Sequence, residues 1–267
     1  MDGPRVTMTS SALTHPGLVR SHNEDSMLVT ERLAAVADGL GGHAAGEVAS
    51  RLAVDRMREL GSNRTLHPDD IIDAVADTNR LILEQVARDP EQAGMGTTLC
   101  GVALVVLDGV EQCAVFNVGD SRVYRYVQGV FDQVSIDHSE VQELQDAGQI
   151  TPEAAAVYPR RNIITRCLGT DPAPVPDVWT FVPSTHERFL ICSDGLSGEV
   201  DDTELERALA EHESASDAAD SLLAQALANG GRDNVTIVVV DVAVAAAPAD
   251  AEPAADPAPP VDVDSGR

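Results

Sequence analysis

Leu33-Ala-Ala-Val-Ala-Asp38-Gly39-Leu40-Gly-Gly-His43-Ala44 is a short apolar run that breaks at an aspartate and a glycine-rich turn, and the segments on its far side decide the fold. The run has the length and bounding residues of a strand. Beyond it come two helical segments in succession, 46–60 and 68–88, and in the second Ile71, Ile72, Val75, Leu81 and Ile82 recur near a period of 3.6. A second helical pair is read at 202–212 and 216–229, with Asp202 and Ser216 in the cap regions. Short runs rich in β-branched residues fill the rest, at 26–30, 33–37, 98–107, 113–118, 123–127, 178–182, 188–192 and 235–242. Strands in neighbouring groups and helices in pairs disfavour βαβ alternation. They predict an α+β fold of antiparallel sheets with helix pairs packed outside them.

The aspartate that ends the first run has counterparts. Val115-Phe-Asn-Val-Gly119-Asp120 and Phe189-Leu-Ile-Cys-Ser-Asp194-Gly195 end the same way, and Asp233 in Gly230-Gly-Arg-Asp233-Asn234 opens the last strand. Any one of these reads equally as a turn residue. Four at strand ends are costly to bury together unless a cation neutralises them. Oxygen-only donors suit Mg²⁺ or Mn²⁺ rather than zinc, and no HExxH or helical histidine pair occurs. Residues 39–44 also fit a relaxed GxGxxA dinucleotide fingerprint. Against that reading, Asp38 would stand beside a pyrophosphate without a counter-charge, and the helix pair replaces the expected second strand. The glycines instead let the backbone approach an ion, with the Gly39 carbonyl a candidate ligand. Upstream, Arg20 lies in Gly17-Leu-Val-Arg20-Ser-His-Asn23-Glu24-Asp25, a cation among acids that reads either as a solvated loop ion or as a bidentate phosphate holder.

Composition excludes much else. The 267 residues carry 18 basic and 44 acidic side chains, a net charge of -26, and every basic residue is arginine. Without lysine there is no P-loop, no kinase strand lysine and no Schiff-base chemistry. The acidic surface disfavours nucleic acid. Cys100, Cys113, Cys167 and Cys192 form no CxxC pair, and none is followed six residues later by arginine. They are read as reduced, largely buried thiols, and a cysteine-nucleophile phosphatase is unsupported.

The motifs Arg20-Ser-His-Asn-Glu24-Asp25, Asp38-Gly39-Leu-Gly-Gly-His43, Gly94-Met-Gly96-Thr97-Thr98, Gly119-Asp120-Ser-Arg122, Asp137-His138-Ser139, Ser193-Asp194-Gly195-Leu196 and Arg232-Asp233-Asn234 occur in one order. In that order the sequence resembles the bacterial branch of the metal-dependent type 2C (PPM) serine/threonine protein phosphatases over about residues 7–242. The resemblance implies a four-layer αββα sandwich of two antiparallel sheets flanked by helix pairs. It also implies hydrolysis of phosphoserine and phosphothreonine monoesters by a hydroxide bridging two Mn²⁺ or Mg²⁺ ions. Carried over, Asp38 bridges the two ions. Asp194 and Asp233 join it on the first, the Gly39 carbonyl and, through water, Glu24 on the second, and Asp120 with Asp194 holds a third, weaker ion. Arg20 becomes the phosphate clamp, and residues 137–170 become the family's flap. Leu40 departs from the eukaryotic pattern, in which a histidine there serves as general acid. His43 is nearby, and the general acid stays unassigned.

The implied partners are phosphorylated proteins, among them Ser/Thr kinases and their substrates, with no nucleic acid and no membrane, and the chain is read as a monomer. Two alternatives stay open: a phosphatase dedicated to one regulatory protein such as a sigma-factor antagonist, and a metal-free binding member of the family. Residues 1–242 are read as the catalytic domain and residues 243–267 as a disordered acidic tail of Ala, Pro and Asp. No signal peptide or membrane-spanning run is legible, so a cytoplasmic protein is expected.

Overall fold

The computed structural model describes residues 5–41, 45–62 and 65–245. Along the chain run β1 (Arg5–His15), β2 (Ser26–Val29), β3 (Leu33–Ala37), β4 (Gly39–Leu40), α1 (Ala45–Gly61), α2 (Pro68–Arg88), β5 (Gly96–Thr97), β6 (Leu99–Leu107) and β7 (Val110–Val118). There follow β8 (Arg122–Val127), β9 (Val130–Gln133), α3 (Glu140–Asp146), α4 (Pro152–Ala156), β10 (Asp177–Phe181), β11 (Glu187–Cys192), α5 (Asp194–Ser197), α6 (Asp202–Glu211), α7 (Ala215–Ala228) and β12 (Val235–Ala245). One antiparallel sheet has the order β1-β12-β11-β8-β9, the other β10-β7-β6-β3-β2, and β4 pairs with β5.

Three hydrophobic layers hold this order together. Val36, Val102 and Val115 of one sheet meet Phe189, Ile191, Val238 and Val240 of the other between the sheets. On the outer face of the first sheet, Ala35, Ala103 and Phe116 pack on Met57, Ile71 and Val75 of α1 and α2. On the outer face of the second, Leu190, Ile237 and Val239 pack on Leu205, Ala219 and Leu222 of α6 and α7. The four-layer sandwich expected from the sequence is therefore present. Its central strands are covered on both faces, which is why they read as unbroken apolar runs and not as alternating ones.

Three details correct the sequence reading. The helix caps are Asp201 and Ser214, whose side chains accept from the backbone N–H groups of Glu204 and Asp217, one and two residues before Asp202 and Ser216. β1 was not expected, yet it pairs with β12 along its whole length. Strand β12 runs to Ala245, three residues past position 242. Residues 246–267, and with them the rest of the acidic stretch, lie outside the described residues, as does His43. The cysteines are free; Cys100, Cys113 and Cys192 are buried and Cys167 is half-buried. Burial pushes the Cys113 and Cys192 thiols up to about 12.

One buried cation fastens the second helical layer. Arg188 donates through Nε and Nη2 to Asp241 (2.6 and 2.9 Å), through Nη1 to the carbonyls of Leu209 and His212 (2.9 and 2.7 Å), and through Nη2 to that of Glu213 (3.0 Å). It thus ties β11 and β12 to the turn between α6 and α7. Arg188→Leu leaves a carboxylate and three carbonyls short of a donor. The expected loss is about 3 kcal/mol, read in thermal denaturation as roughly 6–12 °C.

Candidate active site

Strands β3 and β7 run parallel to each other, each antiparallel to β6 between them, so Asp38 and Asp120 emerge at one end of their sheet. In the other sheet β11 ends and β12 begins at one end, which delivers Asp194 beside Asp233. Strand β2 enters opposite the end of β3, with Ser26 facing Ala37, and brings Glu24 and Asp25 to the same place. These residues meet in a cleft of ≈ 460 Å³ whose walls include Arg20, His22, Glu24, Asp38, Gly39, Leu40, Asp120, Asn162, Asp194 and Asp233. Every residue singled out from the sequence as a site residue lines it.

The carboxylates are held by specific neighbours. The Asp38 N–H donates to Thr98 Oγ1 (2.9 Å), and its carbonyl accepts from Thr98 N (2.9 Å) and Thr97 Oγ1 (2.8 Å). Thr98 Oγ1 in turn shares a hydrogen bond with Ser121 Oγ (2.7 Å), next to Asp120. The Asp120 turn is braced from behind. The N–H of Gly119 donates to His138 Nδ1 (3.0 Å), and Arg122 grips Asp137 through Nε and Nη2 (3.0 and 2.7 Å). Because Nδ1 accepts, the His138 ring carries its proton on Nε2 and faces Asp177 Oδ2 at 3.1 Å.

Glu24 is fixed at both ends of its peptide unit. Its N–H donates to Asn234 Oδ1 (2.8 Å), and its carbonyl accepts from Ser50 Oγ of α1 (2.6 Å). The Asn234 amide nitrogen reaches the carbonyls of Pro16 and His22 (3.0 and 2.8 Å), stapling both ends of the loop that carries Arg20. A methyl group added at Gly46 would stand 2.5 Å from Glu24 Oε2, 2.7 Å from the Gly39 carbonyl carbon and 2.9 Å from its oxygen. The Glu24 carboxylate and the Gly39 carbonyl oxygen therefore converge beside the first turn of α1. Arg20 donates from Nη2 to Asp233 Oδ2 at 2.7 Å and keeps more than half of its side chain exposed.

Asp25 is a site residue that the sequence reading passed over. It is 7% exposed; Oδ2 accepts from Ser193 Oγ (2.8 Å), while Oδ1 has no hydrogen-bond partner. Burial pushes its carboxyl up to about 7, the neighbouring Thr236 and the Ser193 hydroxyl oppose that, and the charges of Asp194 and Asp233 add to it. Burial followed by the Asp194 charge likewise pushes Asp120 up to about 7. Asp194 is raised by burial and then by Asp233, and Asp38 stands well above the usual carboxylate range through burial and the charges of Asp25, Asp194 and Asp120.

Such a cluster is short of cations: the one half-exposed arginine lining the cleft faces six carboxylates, those of Glu24, Asp25, Asp38, Asp120, Asp194 and Asp233. Oxygen donors alone, an orphaned buried carboxylate oxygen and strong mutual repulsion fit hard divalent ions. Among the described residues no three acidic, His or Cys side chains already form a closed cage. Mg²⁺-type ions keep most of their waters and need only one or two carboxylates each, so pairs such as Asp38 with Asp194 suffice.

Residues 20–233 match the family model for Protein phosphatase 2C. The chain is 40% identical over 244 residues to the serine/threonine protein phosphatase PstP of Mycobacterium tuberculosis, covering 89% of this chain and 46% of that protein. It therefore spans about half the length of this curated relative. It is 36% identical over 239 residues to the serine/threonine phosphatase stp of Listeria monocytogenes, covering 85% and 93%. Among solved structures, Mycobacterium tuberculosis PstP/Ppp superposes with a TM-score of 0.82 at 38% identity, over 88% of this chain and 98% of that one. The catalytic domain of PstP in complex with 2 manganese ions gives 0.82 at 36% identity, over 90% and 100%.

Proposed function

The chain belongs to the protein phosphatase 2C family, and from that membership we propose that it is a metal-dependent phosphatase of phosphoserine and phosphothreonine proteins. The observation that carries this is the convergence of Asp38, Asp120, Asp194, Asp233 and Glu24 with the Gly39 carbonyl and a single arginine in one cleft. Asp38, Asp194 and Asp233 would hold one Mn²⁺ or Mg²⁺ ion. Asp38, the Gly39 carbonyl and, through water, Glu24 would hold a second, and Asp120 with Asp194 a weaker third. When bound, such ions supply Lewis acidity for water activation and for the charge of the phosphoryl group.

The protein's own groups supply position. Thr97 and Thr98 fix the Asp38 backbone, and the Asn234 amide fixes the loop that carries Arg20. The guanidinium, anchored to Asp233 by one nitrogen, offers its remaining N–H groups to phosphoryl oxygens. Leu40 lines the cleft, and its side chain has no proton to give a departing alkoxide. The partners are phosphoproteins, including Ser/Thr kinases and the proteins they modify. No helix among the described residues is long and apolar enough to cross a membrane.

Arg20→Ala tests the clamp. Losing one charged hydrogen-bond pair, about 2–3 kcal/mol, lowers kcat/KM for a phosphothreonine peptide roughly 30- to 150-fold. Mn²⁺ binding by calorimetry persists. An unchanged kcat/KM would refute the role.

A further inference from the structure

Asp120 reaches the cleft from a turn whose leading peptide is held on both sides. Gly119 adopts a φ of 114°, and a methyl group there would stand 2.6 Å from Thr98 Cβ and Cγ2, so the position demands glycine. Its buried N–H donates to His138 Nδ1 (3.0 Å), and its carbonyl accepts from the His138 N–H (2.9 Å) and from Asn117 Nδ2 (3.0 Å). Asn117, fully buried in β7, also donates to the Ile136 carbonyl (3.0 Å), which draws the segment ahead of His138 against the same turn. One residue beyond Asp120, Ser121 Oγ shares a hydrogen bond with Thr98 Oγ1 (2.7 Å), the atom that accepts the Asp38 N–H.

The His138 ring can carry a single proton on either nitrogen, and its neighbours select one. Nε2 faces Asp177 Oδ2 (3.1 Å), and an ionised carboxylate can only accept. Arg166 Nη1 holds the other oxygen of that carboxylate (2.9 Å), which favours its charged form. The ring proton therefore sits on Nε2, and the Nδ1 lone pair is left for Gly119. Burial lowers the ring's pKa from the usual histidine value, against the pull of Asp177, and a neutral ring is what an accepting Nδ1 requires. His138 is 6% exposed and forms no part of the cleft wall, so it acts on the site through the peptide it holds.

We propose that His138 is a positioning residue for Asp120, aiming its carboxylate through the Gly119 peptide, an inference that rests on the reading of Asp120 as a ligand of the third, weaker ion. A buried N–H stripped of its acceptor costs free energy until the peptide rotates toward another. Glycine offers that rotation less resistance than any other residue, and turning the Gly119 peptide re-aims the side chain that follows it. Asp38 is held by Thr97 and Thr98 instead, so the loss falls on the third ion rather than on the other two. Groups that orient a metal's ligands by hydrogen bonds typically contribute about 10- to 100-fold in metal affinity or activity.

The test separates the two ring nitrogens in the full-length protein. His138→Asn can place an amide oxygen where Nδ1 stands and keep an acceptor for Gly119, whereas His138→Gln can place an amide nitrogen where Nε2 stands and keeps only the donor to Asp177. In His138→Gln, the weakest Mn²⁺ binding step seen by calorimetry should loosen roughly 10- to 100-fold, and the Mn²⁺ concentration for half-maximal turnover of a phosphothreonine peptide should rise with it. His138→Asn should restore both. A role confined to packing predicts the opposite order, since Gln fills the space of the ring better. The wild-type protein supplies a check that needs no variant to fold: long-range proton–nitrogen NMR should find the His138 ring protonated at Nε2 alone. A ring protonated at Nδ1, a wild-type protein without a weak Mn²⁺ step, or equal effects of the two variants overturns the role of His138 alone. A wild-type protein inert toward p-nitrophenyl phosphate with Mn²⁺ present overturns the phosphatase reading and this role with it.

Discussion

Asp38→Asn should lower phosphopeptide turnover at least about a thousandfold and, in the metal-free protein, raise the melting temperature. The first effect comes from the position of Asp38 as the carboxylate shared by both proposed ions, so that neither is held in place without it. The second comes from repulsion. Burial and the charges of Asp25, Asp194 and Asp120 raise its carboxyl, and Asn removes the offending charge at nearly constant shape. The pH dependence has a defined sign. Asp25 and Asp120 titrate at about 7 in the fold against 3.8 ordinarily, so the native state binds more protons than the unfolded chain across that window. The stability these carboxyls contribute is present below pH 4 and is lost as pH rises toward 7. The Asp38 carboxyl is raised in the same direction, so it too costs the fold stability as pH rises above its ordinary value, and the advantage of Asp38→Asn over wild type in metal-free melting temperature should widen from pH 5 to pH 8. A gap that narrows would show that the cluster is not strained by its own charge.

Gly46→Ala should be strongly damaging although the residue carries no chemistry. The added methyl meets the Glu24 carboxylate and the Gly39 carbonyl at 2.5–2.9 Å, closer than atoms can sit, and Gly39 is backbone that yields only by moving the carbonyl proposed as a ligand. Misplacement of this order costs roughly a hundredfold in catalysis. Turnover at saturating Mn²⁺ should fall by about that factor, with weakened metal binding by calorimetry, while circular dichroism stays native. Wild-type kinetics in this variant would show that the Glu24–Gly39 corner is not part of the site.

The sandwich was legible because its inner strands are buried on both faces and its helices come in pairs. Strand β1 was not, since Thr7 and Thr9 are exposed on an edge strand whose inward residues, Val6, Met8 and Ala12, are too sparse to register as an apolar run. The aspartates at strand ends were legible from turn chemistry. Asp25 was not, because its place in the site comes from burial and from Ser193, 168 positions away, and neither leaves a local mark. Gly46 gave a faint signal, a glycine opening a helix, but only the approach of Gly39 and Glu24 explains it. The same holds for Thr97 and Thr98, visible as a motif whose work of fixing Asp38 spans some 60 residues.

On the proposed function, the cluster of oxygen donors in this cleft supports hydrolysis of phosphoserine and phosphothreonine esters only with divalent ions bound. Phosphate release from a phosphothreonine peptide, measured after exhaustive EDTA treatment and again after adding Mn²⁺, tests it most directly. No release above background is expected in EDTA, and full turnover once Mn²⁺ is restored; undiminished release in EDTA would contradict the claim.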